Sequence, residues 1–299
     1  MIDTVQIFSP SELVLANVPS TWRRSSCDQP TADPNGIGFV LNNTFTFDDP
    51  VTGYHGYGEH GELRYHRASL PRLLHGQNGK LLNSQTAVDA ALNLLQQKAG
   101  EICNFNYDVD HFTRVDLVWQ FCGDAADFIL AHRNARHPRI RRSPSFYEAR
   151  SMAFNGSELR IAMYDKTLER HKRNGDVVRV EVQLKGRVLK ELLGNGDRVT
   201  RLDFQACYRA YRGILLGFQP SPITEVGSIA QFLALGEREG WQADGVPAFD
   251  LYTKGLCAKQ ISRLKRDMAA CRAEVFKIDW SKLLPADGPP AVVEVDEHA

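Results

Sequence analysis

Three short segments alternate apolar and polar residues so strictly that each can only be a strand with one buried face. In Phe112–Phe121, Thr113, Val115, Leu117, Trp119 and Phe121 fall on one side, and Arg114, Asp116 and Gln120 on the other. Val177–Lys185 sets Val178, Val180, Val182 and Leu184 against Arg179, Glu181, Gln183 and Lys185. Glu158–Tyr164 sets Leu159, Ile161 and Met163 against Glu158, Arg160, Ala162 and Tyr164. Side chains alternate faces along a strand, so the pattern predicts core on one side of a sheet and polar groups on the other. If the three strands share a sheet with polar faces aligned, that face carries a tyrosine, two carboxylates and three arginines. Groups suited to a metal, a nucleophile and phosphate binding on one surface point to phosphodiester chemistry.

The remaining chain predicts strands at Ile2–Phe8, Gly36–Phe47 and Glu62–Ala68, with an irregular Ser/Pro-rich connection over Ser9–Pro34. A helix is expected over Leu81–Ala99, capped by Ser84, with Val88, Ala91, Leu92 and Leu95 as its apolar stripe. Another is expected over Ala125–Asn134. Asn155-Gly156, between Ser145–Phe154 and the strand that follows, is a hairpin signal. A short helix is expected between that strand and the one at Val177–Lys185. After Gly186 the pattern turns helical, at Val188–Leu193, Thr200–Leu216, Val226–Glu239 and Leu256–Phe276. The expected fold is therefore α+β, an antiparallel sheet with helices on one face, followed by a smaller helical region. The division is 1–190 for the α+β domain, 191–284 for the helical region, and 285–299 for a disordered acidic tail.

The first eight residues carry an acid and no basic stretch, so they read as a strand and not as a signal peptide. No apolar run approaches the roughly 20 residues of a membrane span. Six cysteines lack C-x-x-C spacing, which favours reduced thiols and no zinc site. Net charge is zero, yet residues 132–190 hold 15 Lys and Arg against 6 Asp and Glu, leaving the remainder at −9. Concentrated positive charge on a neutral chain is the footprint of a confined polyanion site.

Five stretches together resemble a known family. They are Met1-Ile-Asp3, Ala68–Asn78, Thr113–Asp116, Leu159–Glu169 and Val178–Lys185. In this order they resemble the replication initiators of filamentous phages, the gene II/X family, and more distantly the trans-acting initiators of rolling-circle plasmids. The resemblance covers roughly residues 1–190 and loosens over the helical remainder. It implies a rolling-circle-initiator-like nickase domain in which a tyrosine cuts one strand at an origin, stays joined to it, and later reseals the displaced strand.

Carried onto this sequence, the resemblance makes Tyr164 the nucleophile. A phenol of pKa about 10 needs help at neutral pH, and Lys166 and Arg160 are candidate cations for that. Transesterification to phosphotyrosine conserves the bond energy for rejoining. Asp116 and Glu181 would bind Mg²⁺ or Mn²⁺ through oxygen. Each also shares a face with the arginine two residues before it, Arg114 and Arg179, so simple ion pairing is the alternative. Glu62 or His66 could complete the metal site, although the His-hydrophobe-His pair of many rolling-circle nickases is missing. Lys166 is a candidate for the scissile phosphate and Glu169 for a base, a ligand or a plain helix-face charge; Asp165 departs from the phage pattern. DNA phosphates would meet Arg114, Arg160, Arg179 and the arm His132–Arg142, which includes Arg139, Arg141 and Arg142. The helix around Lys254–Arg272 has a basic side, Lys259, Arg263 and Arg266, that could hold duplex DNA. Leu73–Asn78 marks the family without an evident chemistry beyond a turn at Gly76, and Tyr147, Tyr208 and Tyr211 are further tyrosines.

The partners so implied are origin DNA, duplex and single-stranded, with host helicase and polymerase, in the cytoplasm of a bacterial host. Two other readings stay open: a non-catalytic nucleic-acid-binding module, and a metal-dependent phosphodiesterase that uses water.

Overall fold

The alternating segments pair with one another as their pattern requires. The computed structural model describes residues 1–12, 23–32, 39–49, 52–59, 62–101, 103, 111–123, 125–132, 135–141, 144–147, 151–166, 177–194, 198–219, 228–239, 242–243, 245–275 and 279–290. Its strands are β1 (Ile2–Glu12), β2 (Arg23–Ala32), β3 (Phe39–Asp48), β4 (His55–Glu59), β5 (Glu62–Ser69) and β6 (His111–Cys122). They continue with β7 (Ser145–Tyr147), β8 (Ser151–Asn155), β9 (Leu159–Asp165) and β10 (Val177–Lys185). All ten form one sheet in the order β2-β3-β4-β5-β1-β6-β10-β9-β8-β7. Every pairing is antiparallel. The fold class is α+β.

The helices are α1 (Leu70–His75), α2 (Gln85–Gly100), α3 (Ala125–His132), α4 (Gly186–Leu193), α5 (Phe204–Leu216), α6 (Ile229–Glu239), α7 (Ala248–Thr253), α8 (Ala258–Val275) and α9 (Trp280–Leu283). Ser84 caps α2 by accepting from the Ala87 N–H at 3.3 Å, and Val88, Ala91, Leu95 and Ala99 are its buried stripe. Helices α3, α4 and α5 pack on the apolar side of β6 and β8–β10. There Val115, Leu117, Trp119, Ile161, Met163, Val180 and Val182 form the core.

The hairpin at Asn155-Gly156 forms. The Gly156 N–H donates to the Leu159 carbonyl at 2.8 Å, and a Cβ at Gly156 would stand 2.7 Å from that oxygen, so only glycine fits. Gly186 joins β10 to α4 at φ +51, with Glu158 where a Cβ would project.

The sequence reading misses several strands. The supposed irregular connection of residues 9–34 contains the end of β1 and all of β2, which pairs with β3 from Arg23–Asp48 to Ala32–Phe39. Its sequence lacks alternation because it is an edge strand, where one partner suffices and Pro30 is tolerated. Strand β4 and the two-residue strands β11 (Gln242–Ala243) and β12 (Val246–Pro247) are likewise too short or too polar to show. The short helix expected before β10 lies outside the described residues, apart from its first residue, Lys166.

The sheet's core also draws on residues well past 190. Phe204, Cys207, Tyr208, Tyr211, Ile214 and Leu215 of α5, with Trp280 and Leu284, belong to the same cluster as the strands. A second, smaller cluster is formed by α6, α7 and α8. At the start of the expected tail, the Pro285 carbonyl accepts from the Tyr208 hydroxyl at 2.6 Å; residues 291–299 lie outside the described ones. No described helix is long and apolar enough to cross a membrane.

Candidate active site on the polar sheet face

Directly paired residues of an antiparallel sheet share a face, so the register lays out the polar surface in rows about 7 Å apart. The first row runs Gln120, Arg179, Tyr164, Ser151 across β6, β10, β9 and β8. Next come Val118, Glu181, Ala162 and Ala153, then Asp116, Gln183, Arg160 and Asn155. The fourth row is Arg67, Gln6, Arg114 and Lys185, from β5 through β1 and β6 to β10.

Strand β1 adds one further group. Its pairing with β6 jumps from Ile2–Leu117 to Val5–Val115, so Asp3 and Thr4 together oppose Asp116. Such a bulge re-aims side chains next to functional surfaces. Asp3 is 8 % exposed, and it accepts from the Ser69 hydroxyl at 3.1 Å.

Arg179 is the hub of the site and is 1 % exposed. Its Nη2 meets Asp3 Oδ2 at 3.0 Å and its Nε meets Glu181 Oε1 at 3.2 Å. Its Nη1 donates to the Asn78 carbonyl at 2.9 Å and to Gln120 Oε1 at 3.4 Å. Gln120 in turn donates to the Gly79 carbonyl at 3.3 Å. The Ala68–Asn78 stretch thus acquires a role. Gly76 ends α1 at φ +75, and Asn78 and Gly79 then cross the polar face above Arg179 and Gln120. Asn78 also accepts from the Ser69 hydroxyl at 2.6 Å, beside Asp3.

The Tyr164 hydroxyl donates to Glu181 Oε1 at 2.6 Å. Burial raises the Glu181 pKa above its ordinary value. Arg179 opposes this, Asp3 adds to it, the Tyr164 hydrogen bond opposes it, and Asp116 adds to it. Asp3 and Asp116 therefore both bear on Glu181. Asp116 is 4 % exposed and held bidentately by Arg114, Nε to Oδ1 at 2.8 Å and Nη2 to Oδ2. The ion pairs foreseen as the alternative to metal binding, Arg114–Asp116 and Arg179–Glu181, both form.

The fourth row is a cation cluster. The Lys185 pKa is lowered by burial and by Arg114, Arg67 and Arg160, against an opposing pull from Asp116. The Arg67 pKa is lowered by burial and by Arg114, with Asp116 and Asp3 opposing. Arg160 donates to Asn155 Oδ1 at 3.2 Å and stands two rows from Tyr164, so the cation beside the phenol is Arg179.

Other expected residues fall elsewhere. His66 is fully buried on the opposite face, its Nδ1 2.7 Å from the Tyr54 hydroxyl and its pKa lowered to about 4 by burial. The reason is parity: Arg67 pairs with Gln6 on the polar face, so its neighbour His66 points away. Lys166 and Asp165 are 3 % and 4 % exposed, so the cation after Tyr164 is not on the open surface. The side chains of Glu62, Arg142, Glu169 and Tyr147 lie outside the described residues.

The described residues of the arginine-rich arm, 132 and 135–141, include several that are anchored. His132 and His137 are 3 % and 4 % exposed, and the latter's Nε2 sits 3.0 Å from the Ile214 carbonyl. Arg139 pairs with Glu191 at 2.8 Å, and Arg141 is exposed. Tyr208 and Tyr211 are buried in the core beneath the opposite face.

Asp3, Gln120, Asn78, Arg67 and Lys185 belong to the site and carry no role in the sequence reading. Two signals point to some of them: Met1-Ile-Asp3 and Ala68–Asn78 are both among the family-like stretches. Asp3 becomes visible as a site residue only through the β1 bulge.

No protein-family model matches the chain, and no curated protein matches it. Among solved structures the chain is similar to a rolling circle replication initiator protein from Geobacillus stearothermophilus. Identity is 11 %, with 76 % of this chain and 89 % of that chain covered, at a TM-score of 0.33.

Proposed function

We propose that this chain is a rolling-circle replication initiator that nicks one DNA strand at a phage or plasmid origin through Tyr164. The observation that carries the reading is the Tyr164–Glu181 hydrogen bond, set on a sheet face with two further carboxylates and a row of cations. Tyr164 Oη attacks the scissile phosphorus while the bond from phosphorus to the 3′ oxygen breaks. The strand's 5′ phosphate stays on the tyrosine, and the phenol's proton ends on the freed 3′ hydroxyl. Glu181 orients the phenol, and Arg179 supplies positive charge beside it. The ester so formed can be returned to a later 3′ hydroxyl, which allows closure of the displaced strand. The free 3′ end would prime a host polymerase, with a host helicase unwinding, in a bacterial cytoplasm.

Asp116, Glu181 and Asp3 fit a hard divalent cation in donor type, since Mg²⁺ and Mn²⁺ take carboxylate oxygens. The upward pressure of Asp3 and Asp116 on Glu181 is the crowding of negative charge that such an ion relieves. Among the described residues no three such side chains stand grouped as a ready cluster, because Asp116 and Asp3 are turned to arginines. Bound there, the ion would supply Lewis-acid polarisation of the scissile phosphate.

The test is a denaturing gel with Mn²⁺ and labelled single-stranded oligonucleotides from the neighbouring DNA, wild type against Tyr164→Phe. An adduct formed by wild type and lost in the variant supports the reading. Cleavage that persists without an adduct makes the protein a water-using phosphodiesterase. Binding with no cleavage by either protein makes it a plain nucleic-acid-binding module.

A further inference from the structure

The α6–α8 unit plays no part in the chemistry above, and it has a hydrophobic core of its own. Its core is made by Ala230, Leu233 and Ala234 of α6, Ala248 and Phe249 of α7, and Leu264, Met268 and Cys271 of α8. The α8 residues in that core recur at intervals of four and three, so they define one stripe. Lys259, Ser262, Arg263 and Arg266 lie at the same helical spacing on the other side, and all are exposed. The Arg263 and Arg266 side chains are 78 % and 75 % exposed.

The connection into α8 is short and fixed. Helix α7 ends at Thr253, whose hydroxyl donates to the Phe249 carbonyl at 2.9 Å. Lys254–Cys257 makes the turn, with Gly255 at φ +93, a conformation that favours glycine. Helix α8 then opens with the Cys257 N–H donating to Gln260 Oε1 at 3.0 Å. Lys265 of α8 lies over the Phe249 ring of α7, its Nζ 5.6 Å from the ring centroid. Two helices joined by a four-residue turn containing glycine, with α6 packed against both, have the connectivity of a helix-turn-helix unit. In such units the second helix lies in the major groove and presents its first turns to the base edges.

Charge fits the same partner. From Lys254 to Arg266 the sequence holds five basic residues and no acid. Asp267, 45 % exposed, is 3.4 Å from Arg266 and 3.8 Å from Arg263. These pairs are solvent-exposed and weak, so a phosphate can compete for both arginines. Arg and Lys at the head of a recognition helix also have the geometry to pair with guanine O6 and N7.

We infer that α8 binds duplex DNA through its solvent face, with Lys259, Arg263 and Arg266 in the major groove. The α6–α8 unit is then a duplex-recognition element separate from the Tyr164 face. The inference rests on the proposed nickase reading only for the class of nucleic acid, and it stands or falls by a different experiment. The full chain is used to select from a pool of duplex oligonucleotides of randomised sequence. The recovered duplex is then titrated against wild type, Lys259→Gln/Arg266→Gln and Tyr164→Phe over a series of salt concentrations, with a single-stranded oligonucleotide alongside.

The double variant should bind the duplex roughly 10- to 100-fold more weakly than wild type. Its salt slope should fall by about 2, close to one unit per lost phosphate contact. Binding of the single strand should be unchanged, and Tyr164→Phe should bind the duplex like wild type. Retention of wild-type duplex affinity and slope by the double variant overturns the inference. So does an equal loss on single-stranded DNA, which would mean only a general polyanion surface, or failure of wild type to enrich any duplex. Because Gln is a good helix former and the substituted side chains are exposed, folding is checked simply by an unchanged melting temperature.

Discussion

Arg179 on β10 reaches across β6 to Asp3 on β1, with Nη2 3.0 Å from Oδ2. One guanidinium therefore spans three strands and also takes hold of the α1–α2 connection through the Asn78 carbonyl. Such a buried charge is costly to desolvate, and replacing a buried pair by apolar groups is often neutral or better for stability. What Arg179 provides is position. It sits between Asp3 and Glu181, two carboxylates that would otherwise repel, and it fixes the acceptor of the Tyr164 hydrogen bond.

Removing Arg179 alone should therefore be severe. Arg179→Met leaves the buried Asp3 and the half-buried Glu181 without their counter-charge and should cost about 3–5 kcal/mol in urea denaturation. Arg179→Met combined with Asp3→Asn should lose clearly less than the two single losses added together. Strict additivity in that cycle would mean that the pair does not interact in solution.

Tyr164→Phe, in contrast, should fold nearly as well as wild type. It removes one neutral donor from a half-buried carboxylate that Arg179 still holds, a change of about 1–2 kcal/mol. The same hydrogen bond holds the Glu181 pKa down, so its loss should raise that pKa further, read by carboxyl NMR titration. A raised carboxyl pKa means that the folded state holds its proton longer than the unfolded chain. Stability then falls as pH rises from the ordinary value of 4.5 into the range above it. Glu181→Gln should flatten this part of the wild-type profile, and an unchanged profile would contradict the assignment.

The parts of this architecture that were legible are those where burial writes a period into the chain. Val178, Val180, Val182 and Leu184 announce β10, and Ser84 announces the start of α2. Strand β2 was silent because an edge strand needs no buried stripe. The polar face was legible as a list of residues but not as a surface. Gln120 and Arg179, on the polar face, are each 1 % exposed because Asn78 and Gly79 lie over them. His66 alternates with Arg67 along β5, and that parity has meaning only once Arg67 is set opposite Gln6. Asp3 depends on a bulge, a property of two strands together, which no single segment displays.

Acid should unfold the protein through its buried histidines. His132 lies among Phe128, Phe218 and Trp280, its Nδ1 2.8 Å from the Phe128 carbonyl and its Nε2 3.1 Å from Trp280 Nε1. Since the indole can only donate, Nε2 is the acceptor and the ring is neutral with its proton on Nδ1. Burial lowers the pKa from 6.5 to about 4. A histidine with a depressed folded pKa contributes stability that is complete above 6.5 and lost as pH falls from there toward 4. His132→Phe should be less stable at neutral pH and show a shallower loss between pH 6.5 and about 4, followed by Trp fluorescence. An equally steep acid loss would assign the effect to the other buried bases whose pKa is depressed to about 4, His66 and the Met1 amine.

Lys185 and Arg114 stand side by side in the cation row, yet their substitution should have different consequences. Arg114 is spent on Asp116, which it grips with two nitrogens, so Arg114→Gln releases a buried carboxylate inside the candidate site. Among the described residues Lys185 has no such partner to strand; its ammonium is crowded by Arg114, Arg67 and Arg160, the state a DNA phosphate would relieve. From Lys185 to the row of Tyr164 is six residues along β10, about 20 Å, too far to touch the reacting phosphate. Lys185→Gln should therefore weaken single-stranded DNA binding and lower its salt slope by about 0.7, while cleavage at saturating DNA keeps its wild-type rate. Arg114→Gln should instead lower that saturating rate, because the electrostatic surroundings of Glu181 change with the charge freed on Asp116. If Lys185→Gln leaves the salt slope untouched, the bound strand does not cross this row, and its path from Tyr164 must run toward β8 instead.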